Sequence, residues 1–256
     1  MNFLFYTVSD IGTTRRTNQD RVYAKKIRTS LGNAFMGIVC DGMGGLSDGD
    51  VASSAAVRSF SEWFEEEFRY VSSESCTIEN IGAQWNRLIE TVQSELEEYG
   101  ARKNASVGTT LSALLIVSGN YYIAQIGDSR IYLCRNGTLR HITTDHSYVM
   151  ELAEKGFMTY DEACVSKKKN ILTRCIGSDE RFGADFFCGK AAAGDGFLIS
   201  SDGFHGAVTD DEMSMIVSRI FSGSVREIKA AVNCAVREKM LGGEKDNISV
   251  VCVKLV

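Results

Sequence analysis

Thr109-Thr-Leu-Ser-Ala-Leu-Leu-Ile-Val117, Ser118-Gly119-Asn120, Tyr121-Tyr-Ile-Ala-Gln-Ile126, Gly127-Asp128-Ser129-Arg130, Ile131-Tyr-Leu-Cys-Arg135, Asn136-Gly137, Thr138-Leu-Arg-His-Ile142 is the stretch that decides the fold. It reads as four short strands, rich in β-branched and aromatic residues and separated by turn residues. Asn136-Gly137 is the most specific hairpin signal in the chain, because both residues tolerate the positive φ of a type I′ turn. Ser118-Gly119-Asn120 supplies a second hairpin turn. Tight hairpins join only antiparallel neighbours, so this stretch predicts antiparallel sheet.

Upstream, strand-like runs occupy 3–8, about 21–26, and 34–40. After them Val51, Ala52, Ala55, Ala56, Phe60, Trp63 and Phe64 recur at three- and four-residue spacing, which predicts a helix with one apolar face. A second helix is predicted from about 78 to 99, with Ile81, Trp85, Leu88, Ile89, Val92 and Leu96 on one side. Downstream, short helices are expected at 148–155 and 161–164, then polar loop as far as a strand at 196–201. Helices at 210–221 and 225–240 and a strand at 247–256 complete the chain. The order never settles into β-α-β alternation, so a single α+β domain of antiparallel sheets flanked by helices is expected. Proline is absent, which leaves 24 glycines and the Asn/Asp/Ser clusters to make the turns.

A chain of 256 residues can bury one substantial core. The net charge of −5 and the scattered Lys and Arg exclude an extended basic face for nucleic acid or anionic membrane. Lys167-Lys168-Lys169 is the one basic cluster and reads as a solvated loop. Eight cysteines, spread from Cys40 to Cys252 without a Cys-x-x-Cys pair, predict reduced, buried thiols in a cytoplasmic protein and argue against a zinc site. Residues 1–8 lack the basic flank and length of a leader or spanning helix and alternate like an edge strand.

Two apolar runs end in Asp-Gly: Gly37-Ile-Val-Cys-Asp41-Gly42 and Phe197-Leu-Ile-Ser-Ser-Asp202-Gly203. A carboxylate at the end of a buried strand is costly unless a cation neutralises it. Glycine beside it leaves the neighbouring carbonyl unobstructed. Gly127-Asp128-Ser129-Arg130 and Lys245-Asp246-Asn247-Ile248 add two more such islands. A single Asp-Gly is more often a turn. Four islands on different elements point to one oxygen-lined metal site, and such donors suit Mg²⁺ or Mn²⁺.

Further motifs are the polar stretch Ser9-Asp10-Ile11-Gly12-Thr13-Thr14-Arg15-Arg16-Thr17-Asn18-Gln19-Asp20, Asp41-Gly42-Met43-Gly44-Gly45 and Gly108-Thr109-Thr110. Thr144-Asp145-His146-Ser147 and Leu172-Thr173-Arg174-Cys175-Ile176-Gly177 follow later in the chain. Together, from about residue 9 to 253, the order resembles the metal-dependent protein serine/threonine phosphatases (type 2C) in their bacterial form. The resemblance implies an αββα sandwich of two antiparallel β-sheets flanked by helices, one domain over 1–256 with a flap at about 146–170. It implies hydrolysis of phosphoserine and phosphothreonine in proteins by a water bridging two Mg²⁺ or Mn²⁺ ions, with a third ion in a weaker site. Two such ions about 3.5–4 Å apart lower the pKa of that water and clamp the phosphoryl oxygens.

Carried over residue by residue, Asp41 matches the bridging carboxylate, with the Gly42 carbonyl as a further ligand. Asp202 and Asp246 match the other carboxylates of the first metal, and Asp20 the N-terminal acidic residue. Asp128 matches a ligand of the third metal, shared with Asp202. Arg15 matches the phosphate-binding arginine, whose planar fork grips two oxygens at once; Arg16, its rival, is expected to face solvent. Phosphoproteins and a cognate serine/threonine kinase are the implied partners, with no nucleic acid and no membrane, and a monomer is expected.

The departures concern proton donors. Gln19 stands where some members carry an acidic residue, and Met43 and Leu46 occupy the places where relatives have a histidine. Of His141, His146 and His205, His205 is the one near the expected metal site in sequence, two residues after Gly203, and it reads more simply as a loop histidine. Asp145 and Asp195 match no metal position and read as structural. Gly44 and Gly45 read as room for the backbone, and Glu65-Glu66-Glu67 as a solvated face. The competing reading is a catalytically degenerate phosphatase fold kept as a binding or regulatory module; retention of every core acidic position argues against it. A two-metal nuclease is disfavoured by the acidic net charge.

Overall fold

Strand β3 (Gly32–Cys40) is apolar on both faces. Successive side chains of a strand point to opposite sides. Here Ala34, Met36, Ile38 and Cys40 enter a core shared with helices, whereas Phe35 and Val39 enter a core shared with a second sheet. A strand buried on both sides belongs inside a layered stack. In the computed structural model, which describes residues 1–44, 48–177, 182–206 and 208–256, the layers are helix, sheet, sheet, helix.

Among the described residues, one antiparallel sheet has the order β10 (Asp185–Lys190), β7 (Asn120–Ile126), β6 (Leu111–Val117), β3, β2 (Arg21–Thr29). The other has the order β1 (Phe3–Asp10), β12 (Ile248–Leu255), β11 (Gly196–Ser200), β8 (Arg130–Arg135), β9 (Thr138–His141). A two-stranded ribbon joins β4 (Gly42–Gly44) and β5 (Val107–Thr109). Helices α1 (Gly49–Glu62) and α2 (Ile78–Lys103) cover the first sheet. Helices α6 (Asp210–Phe221) and α7 (Val225–Leu241) cover the second, packing Val217, Ile220, Ile228 and Val232 on Ile248, Val250 and Cys252 of β12. Two short helices, α3 (Tyr148–Glu154) and α4 (Tyr160–Val165), lie in the long β9–β10 connection, and α5 (Asp202–His205) follows β11.

Both hairpins form as expected. Ser118 and Gly119 have φ of 48° and 72°, and Asn136 and Gly137 have 53° and 77°. The N-terminal strand is an edge strand. Four expectations need correction. The predicted polar loop before 196 contains β10, an edge strand that pairs with β7 from Asp185↔Gln125 to Lys190↔Asn120; its Phe186-Phe187-Cys188-Gly189 core lacks alternation, so nothing local marks it. Only Cys40, Cys134 and Cys252 are buried, while Cys164, Cys188 and Cys234 are exposed, although all eight are thiols. Lys167–Lys169 is not simply solvated: Lys169 Nζ donates to the Gly206 carbonyl and Lys168 lies over the Tyr148 ring. Glu65 likewise accepts hydrogen bonds from Lys25 and Tyr23.

The strand ends that carry acidic motifs meet at one end of the sandwich. Register places Arg21 opposite Cys40, Ser200 opposite both Val250 and Arg130, and Leu111 opposite Ile126.

Candidate active site and metal centre

Asp41 follows directly on β3, and its main chain is held from both sides. Its N–H donates to Thr110 Oγ1 at 2.9 Å; its carbonyl accepts from the Thr110 N–H at 2.9 Å and the Thr109 hydroxyl at 3.1 Å. This interlock splits the single strand predicted over 109–117 into β5 and β6. Gly42 donates its N–H to the Gln19 carbonyl at 3.2 Å, and a Cβ built on it would lie 2.0 Å from the Gly49 carbonyl oxygen. Only glycine allows β4 to approach the start of α1 so closely.

Asn247 positions the β1–β2 loop that carries Arg15 and Asp20. Its Oδ1 accepts from the Gln19 N–H at 2.9 Å, and its Nδ2 donates to the Ile11 and Thr17 carbonyls at 2.9 and 3.2 Å. Asp246 therefore sits beside that loop across the sandwich end. Asp202 is the first residue of α5, and Asp128 lies in the turn that carries the chain from β7 in one sheet to β8 in the other. The expected carboxylates come from five different connections and share one neighbourhood.

A buried polar network under the Asp128 turn escaped the sequence reading. Gln125 Nε2 donates to the Gly127 and Ser129 carbonyls at 3.1 and 2.6 Å, and its Oε1 accepts from the Ser112 hydroxyl at 2.7 Å. Thr110 and Ser129 share a hydroxyl–hydroxyl bond of 3.0 Å, which connects this network to Asp41. Its only sequence signal is the presence of polar Ser112 and Gln125 inside apolar strands.

Electrostatics mark the cluster as short of cations. Asp20 is 2% exposed, and neither of its carboxylate oxygens has a hydrogen-bond partner; the same is true of Asp202 Oδ1. Burial pushes Asp20 from 3.8 up to about 7, against the pull of the Ser249 and Ser201 hydroxyls. Burial, reinforced by the Asp246 charge, takes Asp202 to about 6. Asp41 and Asp128 are raised well above the carboxylate range, first by burial and then by neighbouring aspartates. Hard oxygen donors without partners fit Mg²⁺ or Mn²⁺. As the side chains stand, no three Asp, Glu, His or Cys among the described residues enclose an ion position, and Asp246 is engaged elsewhere.

Its partner is Arg15. Nε donates to Asp246 Oδ1 at 2.9 Å and Nη2 to Oδ2 at 2.6 Å. This bond, with support from the Asp41 and Asp202 charges, raises the guanidinium pKa. The residue expected to bind phosphate thus grips an expected metal ligand with the same planar fork. Arg16 is exposed, as expected. Asp145 and Asp195, read as structural, are each neutralised by an arginine, Arg130 and Arg135. His205 is not a loop histidine: it lies buried on α5 with Nδ1 3.1 Å from Ser200 Oγ, and burial holds its pKa well below the usual range. It is therefore neutral and carries no spare proton at pH 7. Met43 pairs with Gly108 in the β4–β5 ribbon; Gly45 and Leu46 lie outside the described residues. A cavity of about 660 Å³ adjoins the cluster, lined by Asp128, Asp202, Arg130, Tyr160 and Lys169 among others.

These shifts have a pH consequence. A carboxyl whose folded-state pKa lies above its unfolded value stabilises the fold when protonated and loses that contribution as pH rises through the folded pKa. For Asp20 and Asp202 the loss spans about pH 4 to 7. Metal-free protein in EDTA is expected to melt several degrees lower at pH 8 than at pH 5, and saturating Mn²⁺ to reverse the trend. A melting temperature that rises with pH in EDTA would contradict it.

A model of the family described as Protein phosphatase 2C matches residues 13–238. The chain belongs to the protein phosphatase 2C family. Serine/threonine phosphatase stp of Listeria welshimeri is 33% identical over 250 residues, covering 96% of this chain and 93% of that protein. Among solved structures, serine/threonine phosphatase Stp1 from Staphylococcus aureus superposes with a TM-score of 0.85 at 25% identity, over 100% of this chain and 96% of that one. The catalytic domain of serine/threonine protein phosphatase PstP in complex with two manganese ions superposes with a TM-score of 0.79 at 27% identity, over 99% and 98%. The αββα sandwich and the bacterial character of this protein phosphatase 2C member accord with the motifs, and metal-dependent dephosphorylation of serine and threonine is the activity of its family.

Proposed function

We propose that this chain hydrolyses phosphoserine and phosphothreonine in proteins at a binuclear Mg²⁺ or Mn²⁺ centre. Asp20, Asp41, the Gly42 carbonyl, Asp202 and Asp246 would hold the two ions, and Asp128 with Asp202 a third, weaker one. The observation that carries this reading is the gathering of these aspartates at one end of the sandwich, with both Asp20 oxygens and Asp202 Oδ1 buried and unpartnered. A buried acceptor without a partner costs about 1–3 kcal/mol, more when charged, and bound cations remove that cost. When bound, the ions neutralise phosphoryl charge and acidify the attacking water.

The rest falls to the protein's own residues. Arg15 orients the phosphoryl group, because a fork that holds the two Asp246 oxygens has the shape to hold two phosphoryl oxygens. Thr110 and Asn247 hold Asp41 and the Arg15 loop in place. No protonated histidine stands ready for the leaving alkoxide: Met43 has no proton to give, and His205 is neutral. The flap at about 146–170, part of one phosphatase domain over 1–256, lines the substrate cavity through Tyr160 and Lys169. The substrates are phosphoproteins, which require a serine/threonine kinase to make them. Action as a monomer in the cytoplasm belongs to this reading; all eight cysteines are thiols, and among the described residues no helix is long and apolar enough to cross a membrane.

Purified protein is expected to release phosphate from a phosphothreonine peptide with Mn²⁺ and to stop in EDTA; turnover that ignores EDTA sinks the mechanism. Mn²⁺ calorimetry separates the degenerate-module reading, under which no pair of ions binds. Arg15→Ala is expected to raise KM for the phosphopeptide about tenfold or more, since a hydrogen bond to a charged group contributes about 1.5–3 kcal/mol. An unchanged KM refutes the phosphate role of Arg15.

A further inference from the structure

Two consecutive residues at the base of the flap hold the loop that carries Asp128. Asp145 receives the Arg130 guanidinium, with Nε 3.0 Å from both carboxylate oxygens and Nη2 2.7 Å from Oδ2. His146, which is buried, is tied to Gly127 twice. Its N–H donates to the Gly127 carbonyl at 2.9 Å, and its Nδ1 accepts from the Gly127 N–H at 3.2 Å. Asp128 stands between these two anchors.

The second bond also fixes the tautomer. With Nδ1 accepting, the proton of a neutral imidazole is on Nε2, and Nε2 lies 3.1 Å from Asp185 Oδ2. Asp185 is held in turn by Arg174 at 2.7 Å. The His146 carbonyl accepts from the Thr173 N–H at 2.9 Å, and the Tyr148 N–H donates to the Ile171 carbonyl at 2.8 Å, so the two ends of the flap are zipped together at this point. From below, Gln125 holds the Gly127 and Ser129 carbonyls. Gly127 itself has φ +93°, and a Cβ there would strike Thr110 Cγ2 at 2.5 Å. The Asp128 loop is thus clamped between the sheet floor and the base of the flap.

A buried histidine bonded to a carboxylate is often structural and nothing more. Here the ring's acceptor nitrogen is committed to the backbone beside a proposed ligand, and its donor nitrogen to a residue beyond the far end of the flap. We infer that Asp145 and His146 are positioning residues for Asp128, and that the Arg174–Asp185–His146 chain sets the affinity of the weakest cation site. This rests on the metal centre proposed above, but on residues to which that centre assigns no role. Outer partners of metal ligands commonly change metal affinity about 10–100-fold.

Calorimetry with Mn²⁺ alone on the full chain tests it. His146→Leu removes the acceptor and is expected to weaken the weakest Mn²⁺ site about tenfold while the tighter sites stay unchanged. His146→Asn keeps an acceptor oxygen near the position of Nδ1 and is expected to restore that affinity. Asp185→Ala, at a half-buried position, removes the partner of the Nε2 proton, leaves the ring free to turn, and is expected to weaken the same site. A folded His146→Leu protein that binds Mn²⁺ as the native protein does overturns the proposal. Equal weakening of every site, or a native titration without a weaker site, does so as well. If His146→Leu does not fold, Asp185→Ala decides by the same criteria. Native protein that takes up no Mn²⁺ overturns the metal centre itself and the proposal with it.

Discussion

Asp41→Asn is expected to lower kcat by roughly 10³-fold while raising the melting temperature of the metal-free protein. Asn has the shape of Asp and preserves the main-chain bonds to Thr109 and Thr110. What it removes is an ionisable carboxyl that burial first, and then the Asp20, Asp202, Asp128 and Asp246 charges, hold well above the carboxylate range. Without cations, folding above the unfolded pKa must protonate that carboxyl or bury its charge, so its loss stabilises. With cations it is the ligand expected to bridge both, and losing several kcal/mol of transition-state stabilisation at about 1.36 kcal/mol per tenfold gives the stated drop. The Mn²⁺-induced rise in melting temperature is expected to shrink in parallel. Phosphopeptide turnover and thermal scans with and without EDTA measure both effects. A variant that keeps kcat within about tenfold, or whose metal-free form melts lower than native, contradicts the assignment.

Gly42→Ala is expected to cost about 4 kcal/mol or more, in the range reserved for severe steric or core lesions. The added Cβ would lie 2.0 Å from the Gly49 oxygen and 2.6 Å from the Gln19 oxygen. Both obstacles are backbone atoms, so no side-chain rotation relieves them. Relief requires β4 to part from α1 and from the loop before β2, which are the elements that place Asp41 and Asp20. At about 2–4 °C per kcal/mol for a domain of this size, melting is expected to fall by about 10 °C. Gly137→Ala is the control: a Cβ there meets nothing within 4 Å, and only the left-handed backbone cost of about 1–2 kcal/mol remains. Equal melting temperatures for the two variants would show that the close approach at Gly42 imposes no constraint.

The features legible in the sequence were those whose cause is local. The Asn136-Gly137 and Ser118-Gly119 turns need only a positive φ, which those residues supply. Helix α1 at Gly49–Glu62 was readable from the three- and four-residue spacing of Val51, Ala52, Ala55, Ala56 and Phe60. Asp41 and Asp202 stood out because a carboxylate after an apolar run has to be neutralised by something. Strand β10 was not legible, because what makes it a strand is its pairing with β7. Ser112 and Gln125 were visible as polar residues in strands, but not the loop they support.

By itself, then, the sequence determined antiparallel sheets flanked by helices, from residue type and spacing over a few positions. The order of its motifs carried the resemblance to protein phosphatase 2C, and that resemblance implied the sandwich and the acidic residues of the candidate centre. Only the tertiary structure decided that Arg15 rests on Asp246, that His205 is buried and neutral, and that His146 holds Gly127. Arg15 and Asp246 are 231 residues apart. Hydrogen bonds and burial of that kind depend on which chain segments meet, and no local pattern encodes the meeting.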